Sequence, residues 1–119
     1  MTTTANVRDL RVWDAARTLA LEVNRACEAD RSRTRGDLWD QARRAAESVG
    51  ANIAEGCGRP TIPDRCRFFG IAIASLRETQ HHLHLCRDYE LITEAQFLRL
   101  IGLASVTRRM LESLIDRLR

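Results

Sequence analysis

The chain has 119 residues, 45% of them hydrophobic, with only two prolines and six glycines. This composition is typical of one compact helical domain and excludes a disordered protein, and no apolar run reaches the roughly 18 residues that span a membrane. The formal net charge is +3, and all nineteen basic residues are arginine, whose planar guanidinium group binds phosphates and carboxylates well.

The first helix is predicted over residues 7–28, after an N-terminal segment that lacks the charged and apolar parts of a secretion signal. We therefore expect a cytoplasmic protein without membrane contact. The apolar side chains of this helix cover about 200° of its circumference, more than the roughly 100° that packing against one core requires. They are Leu10, Val12, Trp13, Ala16, Leu19, Ala20, Val23, Ala26 and Cys27. A second apolar face is expected to be buried elsewhere.

The second helix is predicted over residues 37–55, with Asp37 or Thr34 as its N-terminal cap. Its core face consists of Leu38, Ala42, Ala45, Ala46, Val49 and Ile53. A polar row runs along the flank of that face and consists of Arg44, Ser48, Asn52 and Glu55. The run Gly56-Cys57-Gly58 is expected to end the helix, because glycine adopts the left-handed conformation at a helix end without steric cost.

The third helix is predicted over residues 63–89, because Pro63 and Asp64 both suit a first turn. Its core face consists of Phe69, Ala72, Leu76, Leu83 and Cys86. The fourth helix is predicted over residues 93–118, and Thr93 and Gln96 have the spacing of a capping box. Its apolar face covers about 180° of the circumference. That face consists of Phe97, Leu100, Ile101, Ala104, Thr107, Met110, Leu111, Leu114, Ile115 and Leu118.

Four long helices with short links predict an all-α fold, an antiparallel up-down-up-down four-helix bundle, with residues 1–119 as a single domain. The surplus apolar surface of the first and fourth helices predicts a homo-oligomer. The cysteine spacings match neither a zinc site nor a redox CxxC motif, so free thiols are expected, with neither a metal nor a cofactor. The cysteines are Cys27, Cys57, Cys66 and Cys86.

A polar network is predicted between the second and third helices. On the third helix, Ser75, Glu78 and His82 fall within about 60°, so that Arg44 can meet Glu78 and Asn52 can meet Ser75 if the helices adjoin. We expect a structural role for this network, since a buried carboxylate must be paired. It consists of Arg44, Ser48, Asn52, Glu55, Ser75, Glu78 and His82.

Two catalytic alternatives receive little support from the sequence. Glu55 or Glu78 can act as a general base only with reacting partners, and the chain has no phosphate-cradling loop, nucleophile elbow or Ser-His-Asp arrangement. His82 and Cys86 are spaced as two metal ligands, but two ligands do not make a site. A protein without enzymatic activity is therefore expected, and a metal-dependent enzyme is a remote alternative.

Pairs and triplets of arginine are the candidates for contact with phosphate groups. Acidic neighbours reduce the net positive charge of each cluster, and a GC-rich coding sequence also accounts for the absence of lysine. A positive surface nevertheless gives sequence-independent affinity for nucleic acid. The residues predicted to bind RNA or DNA are Arg31, Arg33, Arg35, Arg108 and Arg109. The few aromatic residues are spaced as packing residues, which gives weak support to base stacking.

The residue pattern of the second helix resembles that of the small "four helix bundle" proteins, also called 23S ribosomal RNA intervening-sequence proteins or the S23 family. The matching residues are Arg43-Arg44-Ala45-Ala46, Ser48, Asn52-Ile53-Ala54-Glu55-Gly56 and Gly58-Arg59, with Asp9-Leu10, Val12-Trp13 and Ala16 before them and Arg67-Phe68-Phe69, Ile71-Ala72, Ser75-Leu76 and Glu78 after them. The chain departs from the family pattern at Ala74, where glycine is usual, and at Cys57, where an aromatic residue is common.

The resemblance implies an antiparallel bundle that assembles as a closed ring, commonly a pentamer. A related group serves as the accessory protein of diversity-generating retroelements, in which a basic pentameric barrel binds nucleic acid and a reverse transcriptase. The resemblance thus implies a homo-oligomer that binds RNA or DNA, with a reverse transcriptase or ribonucleoprotein as an expected partner. The alternative is a structural or protein-interaction bundle without affinity for nucleic acid.

Overall fold

A computed structural model describes the backbone of residues 7–119 and the side chains from Arg11 onward. Its described part consists of four α-helices and contains no strand, which confirms the all-helical class. The helices are α1 (Val7–Ala29), α2 (Gly36–Cys57), α3 (Ile62–Asp88) and α4 (Glu94–Leu118), and they form a rod of 49 × 21 × 18 Å. The predictions made for residues 1–6 and for the side chain of Leu10 lie outside the described residues.

Each helix packs against the next one in the chain, and α4 packs back against α1. The helix pair α2 and α3 has the most extensive contact, because small side chains face one another there and let the two backbones approach. The small buried residues of this pair are Ala42, Ala45, Ala46, Gly56, Ala72 and Ser75. None of the four helices, over the residues described, is long and apolar enough to cross a membrane.

The core contains the predicted apolar faces of α2 and α3, and every member of both faces is buried. Most of the extra apolar surface predicted for α1 and α4 is buried within the protomer. The sequence-based prediction therefore overestimated the apolar surface left for contact with other copies. Each helix packs against two neighbouring helices. Two contacts cover a wider part of the helix circumference than one contact does. Among the α1 residues named for that surplus, Trp13 is exposed, while Ala20 and Cys27 pack partly buried against the core. On α4, the large exposed apolar side chains are Leu98 and Val106, which the predicted apolar face did not include.

The ends of α2 differ from the prediction. Arg35 occupies the N-cap position without a side-chain capping bond, so neither Asp37 nor Thr34 caps the helix. The helix extends to Cys57, and Gly58 has φ −87°, so the expected left-handed glycine is wrong. Gly56 is instead a packing residue, because its α-carbon faces the ring of Phe69 with no room for a β-carbon.

The N-termini of α3 and α4 are both capped by threonine. Thr61 is the N-cap of α3, and its hydroxyl accepts a hydrogen bond from the Asp64 backbone N–H at 3.3 Å. Pro63 and Asp64 lie in the first turn of α3, as predicted, although the helix begins one residue earlier, at Ile62. At α4, Thr93 and Gln96 form the predicted capping box, with reciprocal bonds of 3.1 and 2.8 Å. The capping box is confirmed because it depends only on residues three apart in sequence.

Candidate nucleic-acid interface

The connector between α1 and α2 contains three of the five arginines predicted to bind phosphate. Arg35 is already engaged, since its guanidinium donates two 3.0 Å hydrogen bonds to the Asp37 carboxylate and lies 4.3 Å from the centre of the Tyr89 ring. The Arg35 guanidinium lowers the pKa of Asp37. Arg31 and Arg33 are exposed and form no ion pair with a carboxylate in the described part of the chain.

The connector is held in place by Asp30. Its carboxylate accepts hydrogen bonds from the Ser32 backbone N–H at 3.0 Å, the Ser32 hydroxyl at 2.7 Å and the Trp39 indole N–H at 2.9 Å. These bonds, those from Ser32 first, lower the pKa of Asp30 because they favour the ionised carboxylate. Arg33 has φ 53°, an uncommon conformation for a residue other than glycine.

The other two predicted arginines lie on α4. Arg108 is engaged with both carboxylate oxygens of Glu112 at 3.2 and 3.3 Å, whereas Arg109 is exposed and has no carboxylate partner among the described residues. Tyr89, beside the connector, is the C-cap of α3, and α4 begins five residues later at Glu94. Arg109 lies about 20 Å further along α4 at 1.5 Å per residue. The predicted arginines therefore form two separate clusters on the protomer.

Arg109 belongs to a larger basic groove between α1 and α4. The groove encloses about 360 Å³ and is lined by Arg11, Val106, Arg109, Met110, Ser113 and Arg117. We call it the α1/α4 groove. Arg117 donates a hydrogen bond to the Ser113 hydroxyl at 2.6 Å, and none of the three arginines forms an ion pair with a described carboxylate. Three arginines therefore line one groove without a carboxylate partner among the side chains of residues 11–119.

Sequence reasoning found Arg109 and missed Arg11 and Arg117. Arg117 lies eight residues after Arg109, a spacing that keeps both residues within about 80° on one side of α4. This periodicity was visible in the sequence. The contribution of Arg11 was not, because it is almost a hundred residues away and depends on α4 packing against α1.

At the opposite end of the α1/α4 seam, an acidic side chain is paired with arginine. Glu22 of α1 accepts a hydrogen bond from Arg99 of α4 at 3.1 Å and another from Arg25 on its own helix. These two arginines, Arg99 first, lower the pKa of Glu22. Glu22 therefore offsets one of the two arginine charges at this end of the seam, whereas the described residues that line the α1/α4 groove include no acid.

A second cleft, of about 570 Å³, lies beside the α1–α2 connector, but its charges are mixed. It is lined by Cys27, Glu28, Asp30, Arg33, Gly36, Trp39, Asp40 and Arg43. Arg43 bonds Asp40 at 3.2 Å and Asn24 at 3.3 Å, and burial raises the pKa of the Cys27 thiol. Three carboxylates beside two arginines make this cleft a poor site for a polyanion.

A family model described as 23S rRNA-intervening sequence protein matches residues 8–113. The chain belongs to this family. A 1.70 Å crystal structure of a protein with unknown function from the S23 ribosomal protein family of Bacteroides thetaiotaomicron has the same fold. Its TM-score is 0.85, at 24% sequence identity over 92% of this chain and 99% of that chain. No curated protein matches the sequence.

In this member of the 23S rRNA-intervening sequence family, part of the predicted polar network forms between α2 and α3. The hydroxyls of Ser48 and Ser75 lie 3.0 Å apart, and the Asn52 amide donates to the Ser48 backbone oxygen at 2.8 Å and to its hydroxyl at 3.0 Å. Thr79, which the sequence analysis did not include, is fully buried and donates to the Ser75 backbone oxygen at 2.8 Å. Only the Ser48–Ser75 contact crosses between the helices, and the Asn52 amide bonds Ser48 on α2 rather than Ser75 as predicted.

The charged residues of the predicted polar network lie outside this group of hydrogen-bonded side chains. Arg44 is exposed and has no ion pair within residues 11–119, so it does not meet Glu78. Glu78 instead lies 3.3 Å from the Nε2 atom of the buried His82, and Glu55 is exposed and lies 3.6 Å from Arg59. Longer charged side chains reached water or a partner on their own helix, which costs less than burial.

The described residues place no group of three or more histidine, cysteine, aspartate and glutamate side chains so that it could hold a metal ion. His82 points one ring nitrogen to Glu78, and Cys86 is fully buried, with burial raising its thiol pKa to about 12. The remaining histidines are exposed, and His84 packs edge-on against Phe97 at 4.9 Å. The absence of a metal and of catalysis stays a prediction.

Proposed function

We propose that this protein is a helical bundle without enzymatic activity that binds the phosphate backbone of RNA or DNA in the α1/α4 groove. The observation that carries the proposal is the convergence of Arg11, Arg109 and Arg117 without a described carboxylate partner. Like charges repel one another, so their assembly in one groove costs free energy until an anion neutralises them. A nucleic-acid backbone supplies a row of such anions and releases its counterions on binding.

The contrast with the other arginines supports the choice of this groove. Arg35 and Arg108, two of the sequence-based candidates, are each engaged with both oxygens of a neighbouring carboxylate. Contact with phosphate would have to replace those bonds. Arg31 and Arg33 are available, but they adjoin the cleft with mixed charges. They are therefore secondary candidates.

The proposal includes the up-down-up-down arrangement of the four helices. Its support is the order of contacts along neighbouring helices. Between α2 and α3, Ser48 lies beside Ser75 while Gly56, further along α2, lies beside Phe69, an earlier residue of α3. Between α1 and α2, Trp39 bonds Asp30 and Arg43 bonds Asn24, which again reverses the order.

Self-association into a closed ring, with a pentamer as the expected number of subunits, is the second part of the proposal. Leu21 is 52% exposed and Leu98 is 60% exposed, which leaves apolar surface on the two helices that form the groove. Both lie about 15 Å from the groove along the helix axis, so an interface there would leave the groove open. Sedimentation of the protein as a monomer at micromolar concentration would contradict this part alone.

The test is fluorescence anisotropy with labelled nucleic acid at about 50 mM salt, a condition that favours phosphate contacts. We expect the wild-type protein to bind and the triple variant Arg11→Gln, Arg109→Gln, Arg117→Gln to lose at least about tenfold in affinity. Arg44→Gln is the matched control for a single arginine, since Arg44 is exposed and unpaired on α2. It is expected to retain wild-type affinity.

Wild-type protein that fails to bind RNA and DNA at low salt would contradict the proposal and favour the structural or protein-interaction bundle. Equal losses in Arg44→Gln and in each single groove variant would also contradict it, because they would indicate a general charge effect rather than a site. Circular dichroism and thermal unfolding of each variant show whether the bundle is intact. The groove arginines are exposed or bonded only to Ser113, so the fold is expected to persist.

A further inference from the structure

The exposed rings of Trp13 and Tyr89, and the half-buried ring of Phe68, are already covered by arginine. Arg17 lies 4.8 Å from the centre of the Trp13 ring, and Arg35 lies 4.3 Å from that of Tyr89. Phe68 is contacted by two guanidinium groups, those of Arg59 at 4.7 Å and Arg67 at 4.4 Å. The other tryptophan and phenylalanine rings described are buried, and they belong to Trp39, Phe69 and Phe97. A base that stacks on Trp13, Tyr89 or Phe68 would therefore have to displace an arginine.

The α1/α4 groove itself is lined by no aromatic side chain among the residues described. Trp13 is close to Arg11 in sequence, but two residues rotate a helix by about 200°, so the indole lies on the far side of α1 from the groove. Its neighbour is Gly50 of α2, on the side of α1 away from α4. The floor of the groove is formed by the aliphatic side chains of Val106 and Met110.

We infer that the ligand of the α1/α4 groove is the backbone of a double helix rather than a single strand. This inference rests on the proposed function and names the form of nucleic acid that the site takes. Proteins that bind single strands combine a basic groove with open aromatic rings on which the bases stack. This groove provides charge and a hydroxyl without such rings, so unpaired bases gain nothing from it.

A duplex fits these features because its bases are already stacked and its phosphates have a higher charge density than those of a single strand. Arg109 and Arg117 are spaced about 12 Å apart along α4, and Arg11 faces them from α1. The two walls can therefore contact phosphates of one backbone that are not adjacent. The chemistry recognised is the phosphodiester backbone that DNA and RNA duplexes share.

The experiment compares one labelled strand without internal pairing with the same strand annealed to a DNA complement and to an RNA complement. All three probes are titrated with wild-type protein at the same salt concentration. We expect at least one duplex to bind about tenfold more tightly than the single strand. Single-strand affinity equal to or above that of both duplexes would overturn the inference, whereas failure of all three probes would overturn the proposed function itself.

Two variants test whether the preference for a duplex comes from the groove arginines or from an exposed aromatic ring. Tyr89→Leu removes an exposed ring outside the groove and is expected to change single-strand affinity less than about twofold; a loss of tenfold would show that stacking contributes and would overturn the inference. The triple groove variant is expected to lose the difference between duplex and single strand. An undiminished affinity difference between duplex and single strand in that variant would also overturn the inference. Arg44→Gln is the control, and it is expected to keep the wild-type difference.

Discussion

Replacement of Gly56 by alanine is expected to destabilise the bundle, although alanine favours a helix more than glycine does. A β-carbon built on Gly56 would lie 2.6 Å from the Phe69 Cε1 atom, 2.9 Å from its Cδ1 atom and 3.1 Å from the Arg65 backbone oxygen. These separations are far below van der Waals contact. Phe69 is buried and 1% exposed, so its ring has no solvent space into which to move.

The magnitude follows from two opposing contributions. Overpacking of a close-packed core costs about 1–3 kcal/mol. The gain in helix propensity from glycine to alanine is about 1 kcal/mol at most, and less at the last turn of α2. The net change in the free energy of unfolding is therefore a loss of about 1–2 kcal/mol, which lowers the Tm by roughly 4–8 °C in a domain of this size.

Urea denaturation followed by circular dichroism measures this change. Gly102→Ala on α4 is the matched control, because a β-carbon there has no neighbour within 4 Å and the same substitution should stabilise the protein by up to about 1 kcal/mol. A Gly56→Ala protein as stable as the wild type would refute the assigned contact with Phe69. Destabilisation by both substitutions would refute the helix-propensity part of the reasoning.

Three further predictions concern local bonds and buried groups. Thr93→Ala is expected to lower the free energy of unfolding by about 1 kcal/mol in urea denaturation, because it removes the capping bond to Gln96; an unchanged midpoint would contradict this. Burial raises the pKa of Cys86 to about 12 from 9.0, so stability should be complete below pH 9 and fall as the pH rises towards 12. Cys86→Ala should flatten this slope in chemical denaturation. Hydrogen bonds lower the pKa of Asp30, so its contribution should be present above its usual value of 3.8 and be lost below it. Acid unfolding of the Asp30→Asn variant is followed by Trp39 fluorescence. If its acid transition is the same as that of the wild type, the Asp30 carboxylate does not contribute to stability in this way.

The parts of the fold that sequence predicts are those set by neighbours in the chain. The apolar stripe of α2 repeats with the period of a helix, and its members are all buried. The Thr93 capping box needs only a spacing of three residues. The role of Gly56 was not accessible in this way, because the ring that excludes a side chain belongs to α3.

The candidate site was only partly predictable for the same reason. Arg109 was identified as part of an arginine pair, but the choice between Arg108 and Arg109 depends on which side chain meets Glu112. Glu112 is four residues from Arg108, a local spacing that was visible in the sequence. The inclusion of Arg11 required the packing of α1 against α4, which no local pattern reports.

The salt dependence of duplex binding tests the central claim most directly. Each neutralised phosphate contributes a slope of about −0.9 to the logarithm of the affinity against the logarithm of the salt concentration, so three groove arginines predict about −2.7 for each protomer engaged. Affinity should then fall about 40-fold between about 50 and 200 mM salt. The triple groove variant should lose nearly all of this slope. A slope that is the same in the variant as in the wild type would contradict the assignment of phosphate binding to Arg11, Arg109 and Arg117.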